Sequence, residues 1–597
     1  MNTAIMMASA IFVFALGFRF YSKFLALKVA KLDDGKTTPA IRLNDGKDYV
    51  PTNKWVVFFY HYATIAGSGV LLGPTLAAQY GWLPCILWIL TATCLAGGVH
   101  DFMVMFLSIR HDGKSIGQIA KMEVGKISWI AVTLATYFMV IVAIAGMGTG
   151  LIAALMHNVW ATFSVATTIP ISLFIYAYAR WIRKGRFVEG AIIGLFQLIL
   201  LLLIAPKLNE IGLLSTFDLG KEQLILLIAL YASIASIVPV HVLLGPRDHL
   251  SGLIKVSVIA LLVAAIFVAH PELKMPPVTE YAVSGGPVIP GPLWPFLFII
   301  ITCGAISGWH SLSCSGVSPR LVSRETDIRT VAYGAWLTES AIAVVALCLA
   351  CILFPGDYFA INVNPNVYAT LKMVPVELPR LSEMVGMNLQ GRVGGVTSLS
   401  ISAAKLLSSL FGGETALAIW YQFSIVYIAL FTMPIMDHGT RMARYFVQDA
   451  MGITSAKPRK WWISTISLTI VMAFLWAYLL YTGTIGVIWP MFGMCNQLMA
   501  CIALIVATSY ILKNLKPIYG WVTFWPVLVF SLATIHGAFL KITNELLPSG
   551  TIPALVQTFI IVFFVMLLGA VLADALMKWF RIARAKVLMM FSHITMT

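Results

Sequence analysis

Apolar runs long enough to cross a bilayer follow one another along almost the whole chain. A hydrocarbon core of about 30 Å needs some 20 apolar residues in helical form. Runs of at least about 18 residues give roughly fifteen spans. Their approximate limits are 3–22, 55–78, 82–109, 128–155, 159–179, 188–206, 223–246, 250–270, 292–314, 329–354, 415–438, 461–482, 486–512, 520–541 and 554–580. Backbone amides in lipid must be bonded internally, so only helices and closed barrels span. The short alternating strands of a barrel are absent from the sequence. The expected fold class is an all-α polytopic membrane protein with about 15 transmembrane helices.

Composition and charge agree. Of 597 residues, 59% are hydrophobic and 11% charged, against about 25% charged in soluble domains. Mean hydropathy is +0.89. A formal net charge of +15 would suggest nucleic acid for a soluble chain. Here the basic residues sit in short loops between apolar runs, where the positive-inside rule accounts for them. No nucleic-acid partner is expected; the bilayer itself is the partner. The eight cysteines fall in or near spans, or at a helix break, without zinc-type spacing, so buried thiols and no metal site are expected. Met1 to Leu16 lacks a basic leader and a small-residue cleavage site, so it reads as a retained span.

Lys and Arg cluster at 23–54, 110–126, 180–186, 320–329, 441–460, 513–516 and 578–586, while 271–291 and 541–553 are charge-poor. This alternation places the N-terminus outside and the C-terminus in the cytoplasm. Counting 397–411 as a crossing would break it at Arg441, so 356–412 is expected outside as a cap or re-entrant element. Three blocks result: 1–54, a first span and basic segment; 55–444, a core including the cap; and 445–597, a four-helix accessory bundle beyond a Lys457-Pro458-Arg459-Lys460 linker.

A repeat organises the core. Val70-Leu71-Leu72-Gly73-Pro74 recurs as Val242-Leu243-Leu244-Gly245-Pro246. The copies lie five spans apart and so run in opposite directions. Interrupted helices in matching positions of two inverted halves point to the binding site of a secondary transporter. The expectation is a 5+5 inverted repeat over spans two to eleven, with Gly73-Pro74 matching Gly245-Pro246.

The breaks supply the candidate site. Thr64, Gly67, Ser68 and Gly69 lie in the first, where glycines weaken the helix and free N–H and C=O groups for a ligand. Pro239 interrupts the second, with Arg247 and Asp248 beyond it as a gate. A third break, Cys303 to Gly316, is rich in Gly and Ser and carries Ser307 and His310. Polar sequence inside a span is costly unless it faces protein or water. Glu339 lies about ten residues, or 15 Å, into its span. Ionisation there is expensive, which suits a proton carrier. It is the leading coupling residue, followed by Asp101. Asp437, His438 and Arg441 read as an interfacial network. Lys255 reads as snorkelling to the cytoplasmic interface, and Asn496 and Gln497 as helix-to-helix glue.

These segments resemble the carbon starvation protein A family. The matching strings are Asp45 to Trp55, Ala63 to Gly69, Asp101 to Val104, Gly245 to Asp248, Cys303 to Ser311 and Trp489 to Gln497, in family order over most of the chain. The resemblance implies a multi-pass bacterial inner-membrane transporter with an amino acid–polyamine–cation transporter-like core, importing peptides or pyruvate-like carboxylates, with proton coupling and no resident cofactor. Two stretches depart from the family pattern. Phe59-Tyr60-His61-Tyr62 stands where relatives read Gly-His-His-Phe, a change expected to abut the site, and His100 stands where relatives often have Gln. The competing class is a haem-binding redox or sensory membrane protein, with axial ligands drawn from His61, His100, His241, His310 and His536. No motif of an enzyme stands out. Oligomeric state is not legible.

Overall fold

The computed structural model describes residues 1–46, 48–451, 453 and 458–594. Lys457 of the expected linker lies outside the described residues. The chain is helical throughout. Among the described residues, twelve helices are long and apolar enough to cross a membrane, and two shorter ones bent by 54° make a thirteenth span. In chain order the elements that matter are α1 (Thr3–Val29), α2 (Lys54–Ile65), α3 (Gly69–Ala77), α4 (Trp82–Arg110), α5 (Lys126–Leu155), α6 (Val159–Ile182) and α7 (Phe187–Glu210). They continue with α8 (Lys221–Ile237), α9 (Leu244–Ala269), α10 (Leu293–Ile300), α11 (His310–Ser313), α12 (Glu325–Cys351), α13 (Val396–Leu410), α14 (Leu417–Ala450), α15 (Pro458–Thr482), α16 (Ile485–Asn514), α17 (Trp521–Lys541) and α18 (Ile552–Ile594).

Two of the expected spans are cut short by their own sequence. The run 223–246 stops as α8 at Ile237, because Val238 precedes Pro239 and takes extended geometry (φ −62°, ψ 142°), as a residue before proline prefers. The run 292–314 becomes α10, an unwound segment through 301–309, and the single turn α11. The count of spans therefore falls below the expected fifteen, at the breaks themselves.

The interior is built from α5, α12 and α16, whose most apolar stretches are 83%, 83% and 89% buried. α16 packs on α4, α5, α17 and α18, and α12 packs on α3 and α1. The helix α16, in the expected accessory bundle, is an inner helix. The outermost, α7, is only 28% buried and shows its Phe and Leu side chains to the surroundings, as a lipid-facing helix must. Within the expected cap, residues 356–412, three short helices lead into α13, which is buried against α14, α9, α12 and α5.

Candidate functional site

The first break is made by the stretch between α2 and α3. Ala66 leaves helical geometry (ψ 99°) and α3 restarts at Gly69. Here close approach requires glycine: a Cβ on Gly73 would stand 2.7 Å from the Ile300 carbonyl oxygen. α3 therefore lies directly on the end of α10, and the break that faces the first one is 301–309. The Ser68 hydroxyl, in the N-cap position of α3, is fully buried and has no hydrogen-bond partner.

The unwound segment 301–309 is held by side chains that replace its lost helical bonds, as buried backbone groups require. Thr93 Oγ1 donates to the Gly304 carbonyl (3.0 Å), Trp489 Nε1 to that of Ile300 (3.2 Å), and Asn496 Oδ1 accepts from the Trp309 amide (2.9 Å). The Asn496 amide also reaches Ser307 Oγ (3.3 Å). The glue role expected of Asn496 is thus aimed at the break. A Cβ on Gly308 would stand 2.3 Å from the Asn496 carbonyl oxygen, so α16 clamps this segment at backbone distance.

Between the two breaks lies a closed cavity lined by Gly67, Ser307, His310 and Glu339 together with Met147, Trp309 and Ile435. Its volume of ≈ 10 Å³ is about what one water molecule needs. The site is shut, with no room for a solute. Four of the expected site residues line it directly, and Gly69 packs beside it against Cys303. Two do not. The Thr64 hydroxyl is spent on the carbonyl of His61 one turn back (2.7 Å). Pro239 is exposed at the separate 238–243 break, whose preceding carbonyls, those of Ala235 and Val238, accept from Arg441.

A chain of buried ionisable groups runs from the cavity into the protein. Glu339 Oε2 lies 3.2 Å from His310 Nε2, but off the direction of a hydrogen bond, so that oxygen stays unsatisfied. His310 Nδ1 is 2.8 Å from Asp101 Oδ2, His100 Nδ1 is 2.8 Å from Asp101 Oδ1, and His100 Nε2 is 2.9 Å from Ser311 Oγ. All are at most 1% exposed. Asp101 has both oxygens bound and Glu339 does not. The sequence yields both carboxylates as coupling candidates; the geometry makes Asp101 the fixed hub and Glu339 the group with freedom at the cavity wall.

His61, Asp101 and Cys314 each bring one possible ligand atom within 4.8 Å of the others. His61 is already engaged at both ring nitrogens, with Ser318 Oγ (2.8 Å) and Cys314 Sγ (3.6 Å). The residues do not fit a haem: His61 and His100 have both ring nitrogens engaged, and the cavity beside His310, at ≈ 10 Å³, has no room for a porphyrin. His241 and His536 stand elsewhere, against Tyr176 and Trp294.

The two residues expected as a gate, Arg247 and Asp248, pair with α14. Arg247 Nη1 is 3.2 Å from Asp437 Oδ2 and also bonds the Tyr231 hydroxyl, while Asp248 meets His438 Nε2 at 2.9 Å. Arg247 is buried, yet its Nε and Nη2 have no partner. Two further expectations are corrected. Lys255 does not snorkel outward; its ammonium points inward onto the Ala66 carbonyl. Phe59 and Tyr60 do not abut the site; they are 55% and 43% exposed on the far side of α2, while His61 and Tyr62 face inward.

Residues 2–537 match the family described as carbon starvation protein CstA. The peptide transporter CstA of Bacillus subtilis is 39% identical over 515 residues, 86% of either chain. That of Campylobacter jejuni is 40% identical over 90% of this chain and 80% of its own. The pyruvate/proton symporter BtsT of Escherichia coli is 36% identical over 89% of this chain and 81% of its own. With half the chain far exceeded by the family match, and the motif-bearing breaks set face to face around one cavity, this protein belongs to the carbon starvation protein CstA family.

Proposed function

We propose that this protein is a proton-coupled secondary transporter that imports small carboxylate-bearing carbon sources, pyruvate-like acids or short peptides. The single observation that carries the reading is the closed cavity where two interrupted spans meet, with a carboxyl group in its wall. The N-terminus of α3 presents amides and the unpartnered Ser68 hydroxyl, a setting that favours an anion. A substrate carboxylate docks there. Glu339 carries the proton on the cavity side, and His310, between Glu339 and Asp101, is the relay through which it moves.

Alternating access follows from rocking of a 5+5 inverted-repeat core in an amino acid–polyamine–cation transporter-like arrangement, with Gly73-Pro74 and Gly245-Pro246 as matching points. Both Gly-Pro pairs lie near the start of the helix that follows a break, which supports the pairing. The charged pairs Arg247–Asp437 and Asp248–His438 form the gate, on the cytoplasmic side if the N-terminus is outside. A buried guanidinium with two unpaired nitrogens is costly, which suits a contact that breaks in each cycle. The four-helix block beyond residue 445 steadies the 301–309 break through α16.

The test is uptake of labelled pyruvate and labelled dialanine into proteoliposomes, with and without an inward proton gradient. Accumulation that needs the gradient supports the reading. Uptake of neither, or uptake indifferent to the gradient, sinks it.

A further inference from the structure

Lys255 is a buried charged group that none of the foregoing uses. It sits in α9, only 5% exposed. Its Nζ donates to the Ala66 carbonyl at 3.0 Å and lies 4.6 Å from the centre of the Phe431 ring. Among the described residues no carboxylate lies within ion-pair distance of it. Asp248 on its own helix, Asp437 on α14 and Glu339 on α12 act on it through space. Of the basic groups on those elements and the facing break, Arg247, His438 and His310 each meet a carboxylate, while His249, Arg329, Arg441 and Arg444 bond backbone carbonyls.

Ala66 ends the half-helix α2, whose last carbonyls form the negative end of its dipole. At interrupted helices in transporters, such half-helix C-termini and unwound carbonyls are where a coupling cation is coordinated. Here the chain's own ammonium occupies that seat. A lone buried ammonium is expensive to keep without a partner charge, and one carbonyl with one aromatic face is little compensation.

We propose that Lys255 is a built-in coupling cation that latches the first helix break. Protonated, its ammonium holds the Ala66 carbonyl and keeps α2 and α3 in register around the closed cavity. When Nζ gives one proton to water it becomes a neutral amine, the attraction to the carbonyl end of α2 falls, and the break loosens. The seat needs no metal cation, because the proton on Nζ supplies the charge.

The experiment has two arms on the full chain. In lipid nanodiscs, hydrogen–deuterium exchange is followed at residues 62–72 against pH, corrected for the intrinsic exchange rate, in wild type, Lys255→Met, Lys255→Arg and Glu339→Gln. Wild-type and Glu339→Gln protection should fall as pH rises. Lys255→Met should be unprotected at every pH, by about tenfold, and Lys255→Arg, which cannot release its proton, should be protected without pH dependence. Wild-type pH dependence in both Lys255 variants overturns the latch.

The second arm rests on the transporter reading. In proteoliposomes with labelled pyruvate or dialanine, Lys255→Met should keep counterflow exchange and lose gradient-driven accumulation by about tenfold, within the range of ordinary coupling free energies. Lys255→Arg should lose both. A plain packing role reverses this order, because Arg would preserve the charge and Met would not. Wild-type accumulation in Lys255→Arg overturns the proposal. If wild type carries neither probe, the transporter reading fails while the exchange arm still decides on Lys255.

Discussion

Asp101→Asn should destabilise this protein far more than Glu339→Gln, although both remove one buried carboxylate from the same chain of groups. Asp101 accepts from His100 and His310 at 2.8 Å on either oxygen and is fully buried. Asparagine offers a single acceptor oxygen, so one histidine faces an NH2 group, and the charge that both histidines were arranged around is gone. Removing one partner of a buried pair costs about 3–5 kcal/mol, a large share of a net stability of about 5–15 kcal/mol. Glu339 Oε2 already lacks an aligned hydrogen bond, so glutamine forfeits less, on the order of 1–2 kcal/mol. All eight cysteines are free and buried, so thermal unfolding in detergent can be followed with a thiol-reactive dye. A loss in Asp101→Asn no greater than in Glu339→Gln would refute the division into fixed hub and mobile carrier.

Other perturbations separate the site from its scaffold. Gly67→Leu should abolish uptake while the protein still elutes as a folded species, because the first added carbon meets only the flexible end of Ile435 (2.6 Å) and the remainder fills the cavity; retained uptake removes Gly67 from the site. Gly308→Ala should instead lower folded yield, since its methyl group meets the Asn496 backbone carbonyl at 2.3 Å; normal yield and melting would contradict the clamp. Outside the spans, Glu123 is pushed up by burial, but hydrogen bonds from His111 and Lys513 and their charges outweigh this and hold it below the usual carboxylate range. A depressed folded-state value means its stabilisation is present at neutral pH and is lost as pH falls through that value. Glu123→Gln should therefore flatten the acid side of the melting-temperature profile, and an unchanged profile would remove Glu123 from the account.

The spans and their interruptions were legible because both are local. Twenty apolar residues and a Gly or Pro among them carry their meaning without knowledge of neighbours. What surrounds each helix was not. Lipid and protein interior are equally apolar, so nothing in the run 486–512 distinguished the most buried helix from a peripheral one. Lys255 lies some eleven residues into α9, where a long side chain can turn outward or inward with the same sequence. The meeting of Glu339, His310 and Asp101 joins three separate spans, and hydropathy gives no distance between spans. The facing of Phe59 and Tyr60 was available: His61, Tyr62 and Ile65 share one side of a 3.6-residue period, and Phe59 and Tyr60 fall off it. Pro239 misled because a proline break was read as a site, whereas the break that faces the first one is made by Gly304 and Gly308.

The central claim is that Glu339 moves a proton in step with substrate, and counterflow beside gradient-driven accumulation in Glu339→Gln tests it most directly. Exchange of labelled for unlabelled substrate needs no net proton movement, and glutamine keeps the shape and hydrogen-bonding groups of the cavity wall. The account predicts that exchange persists while accumulation against a gradient is lost. Accumulation at the wild-type level with unchanged pH dependence would contradict it and leave Glu339 a structural residue.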